Sequence, residues 1–316
     1  MTLRRISSTL CALGLLSAAL PASAVDIVFD YRYDSSGFFT ADRRAVLDGV
    51  ARLFSDNLTD TLSAIQPGSD ELFVARIYDP VDPLNSSVVV DNLTVAANQI
   101  RIFVGSYAFS GQTLGVGGPG FQSLGGSQAF INQVESRGEP GALLNPATDF
   151  APWGGTITFG AQISWYADSD LSTVESFGGQ FDLFTVAAHE TAHVLGIGTA
   201  DSWFARVVGD TFTGPLATSV NGGVAPALRN DGSDAHFATT LTGHVNGSAQ
   251  VPLLSPFIPA GARRYMTDLD WAAMADIGWQ VASLQAAVPA PVPEPGSWAL
   301  LAGGLLLVGV SARRRT

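Results

Sequence analysis

The sequence predicts an α+β fold in two lobes, on three observations: strand-like and helix-like segments alternate in the first half, a short apolar helix spans about 182–196, and the chain turns irregular after Gly198. Residues 25–33 alternate like a strand, and 40–62 carry apolar residues at helical spacing with Thr40 as a cap. Residues 71–78 and 99–104 read as further strands. Residues 111–127 hold Gly115, Gly117, Gly118, Gly120, Gly125 and Gly126, but no Gly-Lys-Ser/Thr follows, so a surface loop rather than a phosphate loop is expected. Beyond Gly198, Gly222-Gly223, Asn230-Asp231-Gly232 and Pro252, Pro256 and Pro259 mark loops. The expected plan is a leader at 1–24, a domain at 25–285 with an upper lobe at 25–198 and a lower lobe at 199–285, and a linker with tail at 286–316.

Composition narrows the function. With 316 residues, 47% of them apolar, the chain can bury one substantial core and is not disordered. Every basic residue is Arg, and residues 25–290 carry 11 of them against 27 acids. That surface repels nucleic acid and anionic membranes, so nucleic acid is not an expected partner. Arg4-Arg5, an apolar run at 10–20 and Ala22-Ser23-Ala24 follow the plan of a secretory signal peptide. The one cysteine, Cys11, falls inside it, so the exported chain would hold no thiol and no disulfide.

Residues 189–193, His-Glu-Thr-Ala-His, carry the chemistry. Histidines at i and i+4 share a helix face and can grip one Zn²⁺, leaving Glu190 beside it as general base toward a zinc-bound water. Asp182 is placed to cap this helix and Gly196 to end it. Two histidines in an apolar helix also fit a core that satisfies them by hydrogen bonding. A catalytic zinc needs a third protein ligand. After Glu190 the chain has only Glu294 as a further glutamate, and its remaining histidines are His236 and His244. Elimination therefore leaves these two, with Asp201 as another alternative.

The run His189-Glu190-Thr191-Ala192-His193-Val194-Leu195-Gly196-Ile197-Gly198-Thr199, followed by Trp203, resembles the metzincin clan of zinc peptidases, and most of all leishmanolysin-like bacterial members. The third ligand of those relatives lies far downstream and precedes an aromatic residue, as His236 precedes Phe237; the resemblance thus implies His236. Thr199 stands where the compact form of the motif has its third histidine. Arg264-Tyr265-Met266-Thr267 resembles the clan's Met-turn, and 269–279 the helix after it. The implied fold has an upper lobe of mixed sheet and helices, and a mostly irregular lower lobe with Met-turn and C-terminal helix. Residues 156–165 resemble the clan's edge strand, which pairs with an extended substrate. Met266 also fits as an ordinary core methionine.

The other end reads Pro293-Glu294-Pro295, an apolar stretch at 298–310 and Arg313-Arg314-Arg315, which resembles a PEP-CTERM sorting signal handled by an exosortase in Gram-negative bacteria. Thirteen apolar residues span about 20 Å as helix, short of a ~30 Å hydrocarbon core, so a transient anchor at the cell surface or matrix is expected. The resulting expectation is a secreted zinc endopeptidase acting on protein or peptide. A surface or matrix-binding protein that keeps the fold without turnover is the alternative. Asp231/Asp234 and Asp268/Asp270 offer oxygen ligands for a structural Ca²⁺, although no loop signature supports one.

Overall fold

A computed structural model describes residues 25–285, apart from 92, 169, 171, 172, 174 and 175. The fold is α+β, with several sheets and helices. Strand β1 (Asp26–Asp30) leads to helix α1 (Ala41–Ser55), whose N-terminus is capped by the Thr40 hydroxyl accepting from Arg43 N. Val46, Leu47, Val50 and Phe54 recur at helical spacing and are buried. The helix stops seven residues short of the expected end at 62. Asn57 turns its side chain onto Leu53 O, and Asp60 accepts from Gln280 N, so polar residues that favour local turns end it.

Strands β2 (Leu72–Tyr78), β3 (Ser87–Val90) and β4 (Gln99–Tyr107) follow. Next come β5 (Gly115–Pro119), β6 (Phe121–Gly125), α2 (Gln128–Ser136) and β7 (Gly154–Gly160). The main sheet has the order β1-β4-β7-β5. Its first three strands are parallel and β5 runs antiparallel to β7. A second sheet, β3-β2-β6, is antiparallel. Alternation in β4 divides the core. Ile100, Ile102 and Val104 pack with the α1 residues, whereas Phe103 packs with Phe73, Ile77 and Trp153. The main sheet is thereby covered on one face by helices and on the other by the second sheet.

Two expectations are corrected here. The Gly-rich segment 111–127 is not a surface loop; it forms β5 and β6. The strand expected at the edge over 156–165 is instead β7 up to Gly160, where the chain turns; β7 lies in the interior of the sheet, buried along its whole length, and the place at the edge belongs to β5. Both follow from close backbone approach. A Cβ on Gly117 would lie 2.7 Å from Glu190 O, and one on Gly155 would strike Gly118 O. Glycines inside a strand mark where another backbone passes near.

Short elements complete the chain: β8 (Trp165–Tyr166), β9 (Phe181–Asp182), α3 (Leu183–Val194), α4 (Asp201–Phe204), a hairpin of β10 (Val207–Val208) and β11 (Thr211–Phe212), and α5 (Pro215–Val220). A second hairpin, β12 (Gly243–Val245) and β13 (Ser248–Gln250), precedes α6 (Asp268–Asp276) and α7 (Ala282–Gln285). Thr267 and Asp270 form a capping box that starts α6.

Candidate metal centre

Helix α3 begins where the Asp182 carboxylate accepts from Thr185 N at 3.1 Å and Thr185 Oγ1 at 2.7 Å. The same carboxylate pairs with Arg263 at 3.1 Å, both side chains being wholly buried. Every residue of α3 is buried, so the helix is held on all sides. It ends at Leu195, and Gly196 (φ 109°) and Gly198 (φ 71°) turn the chain in the left-handed region. Gly198 serves a second purpose. A Cβ there would come within 2.5 Å of Ala235 O, so only glycine lets the segment carrying His236 pass beneath the helix end. Phe237 anchors that segment in an aromatic cluster with Trp203 and Phe212, and Trp203 Nε1 donates to Asp234 O at 2.9 Å.

His189, His193 and His236 converge. Their Nε2 atoms lie 3.1 Å (189–193), 3.2 Å (189–236) and 3.1 Å (193–236) apart. Three imidazoles on one tetrahedral ion at about 2.0–2.1 Å would sit about 3.3 Å from one another, so the triangle matches three corners and leaves the fourth open. His189 Nδ1 donates to Leu253 O at 2.8 Å and His193 Nδ1 to Ile197 O at 2.7 Å. Those bonds put the ring protons on Nδ1 and turn the Nε2 lone pairs inward, the arrangement second-shell partners impose on metal-ligating histidines. His236 Nδ1 is buried with no partner among the described residues. With no bond fixing the His236 tautomer, a proton on its Nε2 would close the triangle by hydrogen bonds, and a lone pair there would complete a set of three neutral donors that fits a divalent metal ion.

Electrostatics agree with a site built from neutral donors. Burial holds the His189 and His193 imidazoles below their usual range, with the neighbouring histidines adding to the effect at His189. Burial, followed by the charge His193 would carry, brings His236 down to about 3. Burial also pushes Glu190 up to about 8, against a hydrogen bond from the Gly117 N–H that favours its charged form. A cation in the triangle would reverse the balance at Glu190 and restore its charge. Glu190, His189 and His236 line one cleft of about 470 Å³, together with Gln112, Gly115 and Phe257.

The other expected residues lie elsewhere. His244 sits exposed on β12, 3.4 Å from the Asp268 carboxylate. Asp201 is exposed in the first turn of α4. Neither joins the triangle, the one group of potential metal-holding side chains found among the described residues. Asp270 accepts from Thr267, Leu253 and Leu254, and Asp231 from Ser233, so these acids bind protein donors in the places considered for Ca²⁺. Met266 is buried immediately before α6. Its segment is tied to the first turn of α3, since Arg264 N donates to Thr185 Oγ1 at 2.8 Å.

Three contributors to the site escape sequence reasoning: the Gly117 N–H and the carbonyls of Leu253 and Ile197. Backbone groups leave no residue-type signal, although the glycines at 115 and 117 mark the close approach that brings β5 onto Glu190.

Residues 291–315 match the PEP-CTERM protein-sorting motif. The motif implies recognition by an exosortase-type sorting enzyme, and with it export and membrane-associated sorting at the C-terminus. No curated protein matches the chain. The expected leader at 1–24, and Pro293, Glu294, Pro295 and the apolar stretch at 298–310, lie outside the described residues. Among the described residues no helix is long and apolar enough to cross a membrane.

Proposed function

We propose that this chain is an exported, zinc-dependent endopeptidase of the metzincin type, with an upper lobe at 25–198 and a lower lobe at 199–285 meeting at the cleft. The observation that carries the reading is the convergence of the His189, His193 and His236 Nε2 atoms, with His189 and His236 lining one cleft together with Glu190. Zinc, when bound, polarises a carbonyl and acidifies a water. Glu190 accepts that water's proton as its oxygen attacks the carbonyl carbon, then delivers the proton to the amide nitrogen as the C–N bond breaks. Leu253 O and Ile197 O hold the two helix histidines in the required tautomer. Strand β5 lies at the sheet edge against α3, and an extended peptide added beside it would bring its own backbone past Glu190. Residues 1–24 would direct export, and the short apolar tail would hold the protein at the membrane until the sorting enzyme acts.

The test is Glu190→Gln. The account expects undiminished zinc content and a loss of about 10²–10⁴-fold in hydrolysis of an unstructured protein such as casein. Wild type that holds zinc without cleaving any protein or peptide would point to the surface or matrix-binding alternative.

A further inference from the structure

A second cavity, of about 490 Å³, adjoins the cleft that holds the histidine triangle. The two share Gln112, Phe181, Phe257 and Ile258 as common walls. Apart from the guanidinium of Arg264, every side chain lining the second cavity is uncharged, and most are apolar. We propose that Arg264 makes this side cavity a subsite for a substrate carboxylate, which deepens the peptidase reading and rests on it.

The place of Arg264 carries the inference. In residues 25–290 acids outnumber arginines by 27 to 11, and among the described residues Arg32, Arg44, Arg101, Arg229 and Arg263 pair with carboxylates; of the arginines that do not, Arg264 is the one in the wall of this cavity. Arg264, half-buried, makes no ion pair among the described residues. Its Nη1 donates at 2.8 Å to the carbonyl of Phe257, another residue of the cavity wall, and its other donors have no partner among the described residues. Asp270 attracts this charge, yet its own oxygens are taken by Thr267, Leu253 and Leu254. Burial disfavours the lone charge, a cost that an incoming carboxylate relieves.

Ser255 also borders the cavity, but it is wholly buried and its Oγ is closed off from the open space, so the guanidinium is the charged group that a ligand there would meet. The position is rigid, because the Arg264 backbone is held by Thr185 and the preceding residue, Arg263, is locked onto Asp182. Mostly apolar walls with one guanidinium suit a carboxylate on a short aliphatic stem. An Asp or Glu side chain, or the free C-terminus of a peptide, would present one.

Fluorogenic peptides carrying Glu, Gln or Leu at each position flanking the cut, with free or amidated C-termini, test this on the zinc-loaded full chain. The expected result is a kcat/KM advantage of about tenfold or more for Glu over Gln at one position, or for the free acid over the amide, according to the source of the carboxylate. Arg264→Gln should bring that ratio to about one, Arg264→Lys should keep part of it, and Arg264→Glu should turn the preference toward Lys. Equal rates for Glu, Gln, acid and amide in wild type, or a preference that survives Arg264→Gln, would overturn the subsite and leave the peptidase reading intact. The same peptides, titrated by fluorescence anisotropy onto Glu190→Ala protein, separate the two claims. Carboxylate-selective, Arg264-dependent binding without any wild-type hydrolysis sustains the subsite and removes the peptidase reading, while unselective binding removes the subsite.

Discussion

Placing a methyl group on Gly117 tests the contact between β5 and the helix that carries Glu190. The new Cβ would lie 2.7 Å from Glu190 O, 2.9 Å from Glu190 Cβ and 3.1 Å from Glu190 Oε2. Ordinary contact needs about 3.4 Å or more, so β5 and α3 must part by about 0.7 Å, and the obstacle is helix backbone with no flexible tip to swing aside. Overpacking of this kind costs about 1–3 kcal/mol. For a domain of this size each kcal/mol lowers Tm by about 2–4 °C, so Gly117→Ala should melt about 2–12 °C below wild type. Gly118→Ala is the control: on the same strand, its added Cβ would meet nothing within 4 Å, and its Tm should equal or slightly exceed that of wild type. Hydrolysis should fall further than stability, because Glu190 is displaced and a misplacement near 1 Å costs about 10²-fold. Equal melting of the two variants would refute the placement of β5 on α3.

Other consequences can be measured independently. Arg263→Ala strips the Asp182 carboxylate of its buried partner and should cost about 3–5 kcal/mol in urea unfolding, with m unchanged. Burial and the nearby Asp149 and Asp60 push Glu139 up to about 7, and burial pushes Asp60 up to about 6. A carboxyl whose folded pKa is raised destabilises as pH climbs from its unfolded value near 4.3 to the folded value. Glu139→Gln should therefore match wild type in stability at pH 4 and exceed it increasingly from pH 5 to pH 8; a gap that narrows with rising pH would contradict the assignment. His244→Ala should leave zinc content and thermal stability within about 0.5 kcal/mol of wild type, since that ring is exposed and only pairs with Asp268 at the surface.

The parts of this architecture legible in the sequence are those that side chains encode locally. The i, i+4 histidines, the Asp182 cap and the Gly196 stop all lie within one short helix, and each announces its role by residue type. The Thr40 cap is equally plain, whereas the end of α1 depended on Asp60 meeting Gln280 from a distant part of the chain. Strand β5 was hidden because its glycines, which read as a loop, are what a strand lying on a helix backbone requires. The interior position of β7 is a matter of non-local pairing with β4 and β5, which residue type along one strand does not specify. His236 lies 43 residues from His193, and its arrival depends on Gly198 and on the aromatic anchor around Phe237. Arg264 was visible only as part of a turn; that it pairs with no acid among the described residues is a fact of three-dimensional packing.

The most direct test of the central claim is the zinc content of purified residues 25–290, compared among wild type, His236→Ala and His244→Ala after dialysis against a weak chelator. The account predicts about one zinc per chain in wild type and in His244→Ala, and none retained in His236→Ala. Wild type without zinc, or a His236→Ala protein that keeps it, would contradict the three-histidine centre on which everything proposed for the cleft depends.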